Sequence, residues 1–344
     1  MNMEWLNSWR PVKTDWMQIE VGTHCHASCI YCPRTVYKDS WQERFMTVET
    51  FSRLLPAIAK TKLAYLQGWG EPFLHPEIFT LMAMAKKTGC QVGATTNGMA
   101  LDDEAIRRLV ELGVDIIAFS LAGTDEENDK MRVGTRFEHV LDAIKRLHLA
   151  KEKAGASRPE IHIAYLLLRS QWKKLENLPS LLQGAGVSQA VITTLDFVSD
   201  RSLEKEMILP QTTEERILWQ TRLDAAVEEG KRCGVPMYYY LAHPQNASKA
   251  CTENVQRALF ISADGAVSPC VFANIPAAGV DYYVHGAKRS YEKMTFGALH
   301  HQTINSIWRQ KNYVDFRNSF ESNQCAEMCR SCPKRCAVLS GLPL

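Results

Sequence analysis

The chain has 344 residues, a formal net charge of +2 and 46% hydrophobic residues, enough for a full core in two domains or in one with an appendage. It has no basic run with interleaved aromatics, no uninterrupted apolar stretch of about 18 residues and no apolar h-region near its start, so neither nucleic acid, a membrane span nor a signal peptide is expected. The 11 cysteines of an unsecreted, cytoplasmic chain then point to metal and not to disulfides.

Residues 1–14, with Trp5, Trp9 and Pro11, are expected to form a short arm. A strand-like run, Trp16–Val21, leads into Glu20-Val-Gly-Thr-His-Cys25-His-Ala-Ser-Cys29-Ile-Tyr31-Cys32, in which three cysteines have C-x3-C-x2-C spacing. Pro33 blocks a regular continuation, so the three thiols are expected on a loop at the end of a strand. Three soft sulfur ligands on one loop suit an iron–sulfide cubane with one iron left open. A structural zinc with His24 or His26 is the rival, although zinc sites more often combine paired C-x2-C or C-x2-C/H-x3-H sets.

From residue 16 onwards the pattern alternates strand and helix. Strands are expected at 16–21, 62–67, 90–96, 114–121, 160–167 and 189–195, and helices at 47–60, 76–88, 102–112, 136–154 and 171–184. Thr47 and Asp102 supply N-caps, and Gly89 and Gly113 helix ends. This is an α/β chain with a parallel sheet, wound by right-handed crossovers into an open barrel or a doubly wound sheet. Its functional end is the carboxyl edge of the strands.

After the second strand comes Gly68-Trp69-Gly70-Glu71-Pro72. A glutamate at the end of a strand is more than a turn requires. The cysteine spacing and this pentapeptide together resemble the signature of the radical S-adenosylmethionine enzymes. The resemblance implies a partial (β/α)6 TIM-like barrel in which Cys25, Cys29 and Cys32 hold a 4Fe–4S cluster. The open iron of that cluster binds S-adenosylmethionine, which one electron from flavodoxin or ferredoxin cleaves to a 5′-deoxyadenosyl radical. Gly68, Gly70, Glu71 and Pro72 match the family's G-G-E-P motif, whose glutamate holds the ligand's amino group, while Trp69 replaces the usual second glycine. Tyr31, beside the last cysteine, Asn97, Ser120 and Arg132 match further positions around the ligand. Turn capping for Asn97 and a surface ion pair for Arg132 are the plain alternatives. Tyr165 and Leu166 are expected in the core or near the adenine.

Residues 196–213 read as a connector before a helix at about 213–232, and Cys90 and Cys233 as packing thiols. Beyond them, Cys251 precedes two apolar runs separated by Asp264-Gly265, a hairpin signal that ends at Cys270. Then come Cys325, Cys329, Cys332 and Cys336 in C-x3-C-x2-C-x3-C order. A zinc ribbon is the rival here. The arrangement resembles the SPASM extension of the same superfamily, which holds one or two auxiliary 4Fe–4S clusters. The segment through Phe296, Ile307 and Phe316 resembles that extension's helical linker. Cys251, Cys270, Cys329 and Cys332 are the first set of ligands implied, with Cys325 and Cys336 second. The domains expected are an arm at 1–14, a barrel at 15–240 and a small cysteine-rich extension at 241–344.

The resemblance implies an oxidoreductase or maturase that takes a hydrogen atom from a small-molecule, sugar, cofactor or peptide substrate, with the auxiliary cluster assisting. With the first strand near Asp15, no leader-binding domain is expected ahead of it, which favours a small substrate or a peptide carried by a partner. The alternatives are a peptide- or sulfatase-type maturase using a separate partner, and a non-enzymatic iron–sulfur or zinc regulator. No catalytic base is assigned. The position after Cys270, an aspartate in the sulfatase-maturing branch, is Val271 here, and His285, His300, His301, Asp281 and Tyr283 are only candidates.

Overall fold

The computed structural model describes residues 12–242, 251–322 and 324–340, without the side chains of 336–339. The arm's Trp5, Trp9 and Pro11 and the Cys336 side chain lie outside the described residues.

All six expected barrel strands are present: β1 (Trp16–Ile19), β2 (Leu63–Leu66), β3 (Gln91–Thr96), β4 (Ile116–Leu121), β5 (Glu160–Leu167) and β6 (Gln189–Thr194). A seventh, β7 (Met237–Ala242), follows the helix Thr213–Arg232 and was not foreseen. All seven run parallel in chain order. The two expected caps, Thr47 and Asp102, open their helices, and Thr212, not foreseen, opens Thr213–Arg232 in the same way. Thr47 accepts from Thr50 N, Asp102 from Ala105 N and Thr212 from Glu215 N. Two helices differ from expectation. The one at 47–60 breaks into Val48–Ser52 and Leu55–Ile58, with Pro56 in the first turn of the second piece. The one at 171–184 is a 3₁₀ stretch, Arg169–Asn177, followed by the short helix Leu178–Leu182.

Strand alternation sorts the side chains. Met17, Ile19, Ala64, Leu66, Val92, Ala94, Ile117, Phe119, Ile161 and Ile163 pack into the buried layer between sheet and helices. Residues of opposite parity, among them Gln18, Tyr65, Thr95, Ala118, His162, Leu166 and Thr193, line a lumen. Tyr165 therefore belongs to the helix layer and Leu166 to the lumen.

The C-terminal part does not form a separate layer. The predicted hairpin, β8 (Ala258–Ile261) and β9 (Ala266–Ser268), joins the barrel sheet, and β8 pairs in parallel with β1, Trp16 opposite Ala258. At the far edge Ala337–Ser340 pairs antiparallel with β7. Both sheet edges beside the barrel strands are thus covered by the extension. The linker between them folds as the helices Ile304–Trp308 and Lys311–Asn318, packed through Phe296 stacked on Tyr313 at 4.0 Å. Among the described residues no helix is long and apolar enough to cross a membrane.

Candidate active site

The cysteine loop lies at the carboxyl end of β1. Ser28–Cys29 pairs antiparallel with Arg132–Val133, the segment that follows β4. Pro33 does not merely stop the chain: it is the first residue of a one-turn helix, Pro33–Val36, capped by Cys32. Cys25, Cys29 and Cys32 open on one cavity of about 160 Å³, lined also by Gly68, Trp69, Gly70, Glu71, Asn97, Ser120 and Arg132. The structure thus brings together almost every residue singled out around the first motif. Pro72 stands just behind, buried, as the first residue of the 3₁₀ turn that Glu71 caps.

The glycines of the pentapeptide are required by close approach. A Cβ on Gly70 would lie 2.3 Å from the Gly22 carbonyl oxygen, and one on Gly68 would lie 2.4 Å from Glu20 Cγ. The Glu71 amide donates to the His24 carbonyl at 2.7 Å, locking the two motifs edge to edge. The Glu71 carboxylate is buried. Its Oε1 accepts from Thr96 Oγ1 at 2.7 Å and Phe73 N at 3.2 Å, and its Oε2 from Asn97 N at 2.7 Å. Burial pushes its pKa up and these donors pull it back, with a net rise. Three donors leave one acceptor position of the carboxylate for a ligand. Asn97 is more than a turn cap, because its Nδ2 lies 3.7 Å from Cys25 Sγ. Arg132 is buried and donates from Nη1 to the Tyr31 hydroxyl at 2.7 Å, so it is not a surface ion-pair partner.

The second cysteine set also converges. Cys251, Cys270, Cys329 and Cys332 line one small cavity with Phe272, Met294, Phe320 and Lys334. Cys325 is fully buried in the neighbouring hydrophobic cluster and does not line that cavity. Burial holds the thiols of Cys25, Cys32, Cys251, Cys270, Cys329 and Cys332 above the ordinary cysteine value, with Cys32, Cys251 and Cys329 pushed up to about 12. Such thiols ionise only with a cation beside them.

The N–H two residues after a cysteine favours its thiolate at four places, Ala27 for Cys25, Arg34 for Cys32, Glu253 for Cys251 and Lys334 for Cys332. Sulfur donors so arranged around a shared cavity fit an iron–sulfur cluster, whose ligand sulfurs are commonly hydrogen-bonded. Among the described residues no group of three or more His, Cys, Asp or Glu side chains closes on a single metal ion.

Between the two cysteine sets lies the lumen, a cavity of about 480 Å³. It shares Tyr31, Cys32, Gln67, Trp69 and Thr95 with the first site, and Glu253, Phe272 and Lys334 with the second. Sequence reasoning missed its charged end. The Lys334 Nζ sits 3.1 Å from Asp196 Oδ2 and 3.3 Å from Glu253 Oε1, with all three side chains about nine-tenths buried. Burial works against the Lys334 charge, but the two carboxylates outweigh it and hold its pKa above the ordinary lysine value. Only the placement of Glu253 and Lys334 two residues after a cysteine could have drawn attention to them. Of the candidate bases, His285, His300, His301, Asp281 and Tyr283 are all absent from the lumen wall. Cys90 is buried as expected, whereas Cys233 is half-buried at a helix end, its Sγ 3.7 Å from Glu229 Oε1.

Residues 19–155 match the model of the radical SAM superfamily, and residues 251–333 that of the SPASM iron–sulfur cluster-binding domain. The chain is 25% identical over 340 residues to the tungsten-containing aldehyde ferredoxin oxidoreductase cofactor-modifying protein of Pyrococcus furiosus, covering 93% of this chain and 87% of that protein. It is 24% identical over 325 residues to the PqqA peptide cyclase of Granulibacter bethesdensis, covering 92% and 79%. Streptococcus suis SuiB bound to S-adenosylmethionine superposes with a TM-score of 0.67 at 12% identity, over 93% of this chain and 72% of that one. Native anSMEcpe with bound AdoMet superposes with a TM-score of 0.66 at 16% identity, over 93% and 89%. At these identities the two structures speak for the fold, a partial TIM-like barrel with a C-terminal extension.

Proposed function

We propose that this chain, which is a radical SAM enzyme of the SPASM-containing branch, is a maturase that removes a hydrogen atom from a small cofactor-like molecule or from one side chain of a peptide held in its lumen. The observation that carries this reading is the lumen itself: about 480 Å³, the size of a small-molecule site, walled at one end by Tyr31 and Cys32 of the first cysteine loop and at the other by Glu253, Val271, Phe272 and Lys334, chain neighbours of the second cysteine set. The named activities of the two relatives, on a cofactor and on a peptide, lie in the same range.

Bound at Cys25, Cys29 and Cys32, a 4Fe–4S cluster with S-adenosylmethionine supplies one-electron cleavage to a 5′-deoxyadenosyl radical. The chain's part is to bind, orient and keep the site dry. Glu71 receives the ligand's ammonium at its remaining acceptor position, Asn97 fixes Glu71 relative to Cys25, and Arg132 and Tyr31 close the wall towards the lumen. Ser120 and the Gly68–Gly70 backbone complete the pocket. Cys251, Cys270, Cys329 and Cys332 would hold one auxiliary cluster, which would supply one-electron redox chemistry beside the lumen. A second auxiliary cluster would have to draw on Cys325 and Cys336.

The cysteine loop's exposed His26 and Ser28 offer an approach for a flavodoxin- or ferredoxin-type donor. The ten described cysteines are all free, in keeping with a reducing, cytoplasmic setting. The working division of the chain remains an arm at 1–14, a barrel at 15–240 and an extension at 241–344.

The test is direct. Anaerobically reconstituted protein given dithionite and S-adenosylmethionine is expected to release 5′-deoxyadenosine. The triple variant Cys25→Ala/Cys29→Ala/Cys32→Ala is expected to release none while keeping about four irons per chain. Equal product from both proteins refutes the barrel site. Stoichiometric zinc without iron in the triple variant refutes the auxiliary cluster.

A further inference from the structure

Trp69 stands where the matching motif has glycine, and the binding roles above leave its side chain unused. Its indole Nε1 donates to the Asn274 carbonyl at 3.0 Å, and its ring meets Phe272 edge-on at 5.9 Å. Its backbone N–H donates to Glu20 Oε1 at 2.8 Å, and Glu20 Oε2 in turn accepts from Ala263 N at 3.2 Å. Glu20 is buried at the end of the first strand, in contact range of any side chain placed on Gly68. On the far side, Asn274 is fully buried and donates from Nδ2 to Ser268 Oγ at 3.0 Å, two residues before Cys270.

Two independent links thus join the loop Gly68–Glu71 to the hairpin β8–β9 and the segment after it. One is the indole to Asn274. The other is Glu20, which grips Trp69 and Ala263 with its two oxygens. Glu20, Ala263 and Asn274 are buried and Trp69 is half-buried, so water competes only weakly for these bonds. A loop with glycine at 69 would be free to take many conformations. Trp69 removes that freedom only when the hairpin is in place to receive it.

We propose that Trp69 and Glu20 are positioning residues that couple the auxiliary cysteine site to the S-adenosylmethionine pocket, so that an assembled auxiliary site tightens binding of S-adenosylmethionine. The proposal rests on the assignment of Gly68–Pro72 to S-adenosylmethionine and of Cys270 to the auxiliary cluster. When the hairpin is ordered, the loop is already fixed and the ligand need not order it. By linkage the effect is mutual: bound S-adenosylmethionine steadies the hairpin by the same factor. Two such bonds correspond to about tenfold in affinity.

The experiment uses the full reconstituted chain. S-adenosylmethionine affinity is measured by equilibrium dialysis for the parent, Cys270→Ala, Glu20→Gln/Trp69→Phe and the triple combination. Cys270→Ala is expected to weaken binding about tenfold in the parent and less than about twofold in the Glu20→Gln/Trp69→Phe background. Equal weakening in both backgrounds, or none in the parent, overturns the proposal.

Hydrogen exchange on chains with every cysteine intact guards against misfolding of the Cys270 variant. Adding S-adenosylmethionine is expected to slow exchange of the Ala263 amide about tenfold in the parent and not in Glu20→Gln/Trp69→Phe. S-adenosylmethionine that binds the parent without changing hairpin exchange overturns the coupling alone. S-adenosylmethionine that does not bind the parent at all overturns the pocket assignment and the coupling with it.

Discussion

Lys334→Met removes the ammonium between Asp196 and Glu253 while keeping a side chain of similar length. The two carboxylates, 3.1 and 3.3 Å from Nζ, then face each other's charge with only about a tenth of their side-chain surface exposed. Breaking a buried pair by removing one partner costs about 3–5 kcal/mol, against about 0–1 kcal/mol for a solvated pair. The small exposure calls for little discount, so about 4 kcal/mol is expected. Urea unfolding under anaerobic conditions, followed by tryptophan fluorescence and cluster absorbance together, measures it where the two transitions coincide. Lys334→Met/Asp196→Asn/Glu253→Gln, with the charges gone, is expected to recover more than half of the loss. A loss below about 1 kcal/mol in Lys334→Met, or no recovery in the triple variant, would refute the buried triad.

Glu71→Gln is expected to weaken S-adenosylmethionine binding at least about tenfold by losing a charge-assisted contact, with iron content unchanged. Unchanged affinity in equilibrium dialysis would reduce Glu71 to a turn cap. The Glu20 carboxyl, which burial raises from the ordinary 4.5 to about 7 against the N–H bonds of Trp69 and Ala263, makes a pH prediction. A carboxyl with a raised folded value gains a proton on folding between those two values, so its contribution is present below about 4.5 and is lost as pH rises through about 7. The swing is about 3 kcal/mol. Urea midpoints of the parent should fall relative to Glu20→Gln between about pH 5 and about pH 8, and parallel curves would refute the assignment.

What the sequence made legible was local. The spacing of Cys25, Cys29 and Cys32, the glycines of 68–72, the Asp264-Gly265 turn and the caps at Thr47 and Asp102 each specify a geometry over a few residues, and each formed where expected. Pairing at long range was not legible. Nothing in Ala258–Ile261 says that it will lie beside Trp16–Ile19, because a buried apolar strand fits any buried neighbour. The Asp196, Glu253 and Lys334 cluster was hidden for the same reason: its members come from three distant segments, and each alone reads as an ordinary charged loop residue. The strand Met237–Ala242 was not foreseen although its three consecutive tyrosines are strong strand formers. The role of the Trp69 side chain was not legible because its partner, the Asn274 carbonyl, is a backbone group that no sequence pattern displays.

The pairing of β1 with β8 also bears on how the chain is made. On a ribosome the first strand finds one neighbour soon, at Leu63–Leu66, but the other edge waits until Ala258–Ile261 has emerged. At about 5–20 residues per second that interval is on the order of tens of seconds, during which an apolar strand edge stays unpaired beside the forming cysteine loop. The nascent chain is therefore most vulnerable to edge-to-edge association in that window. Truncations ending before residue 258 should be insoluble even though they contain every residue of the first site.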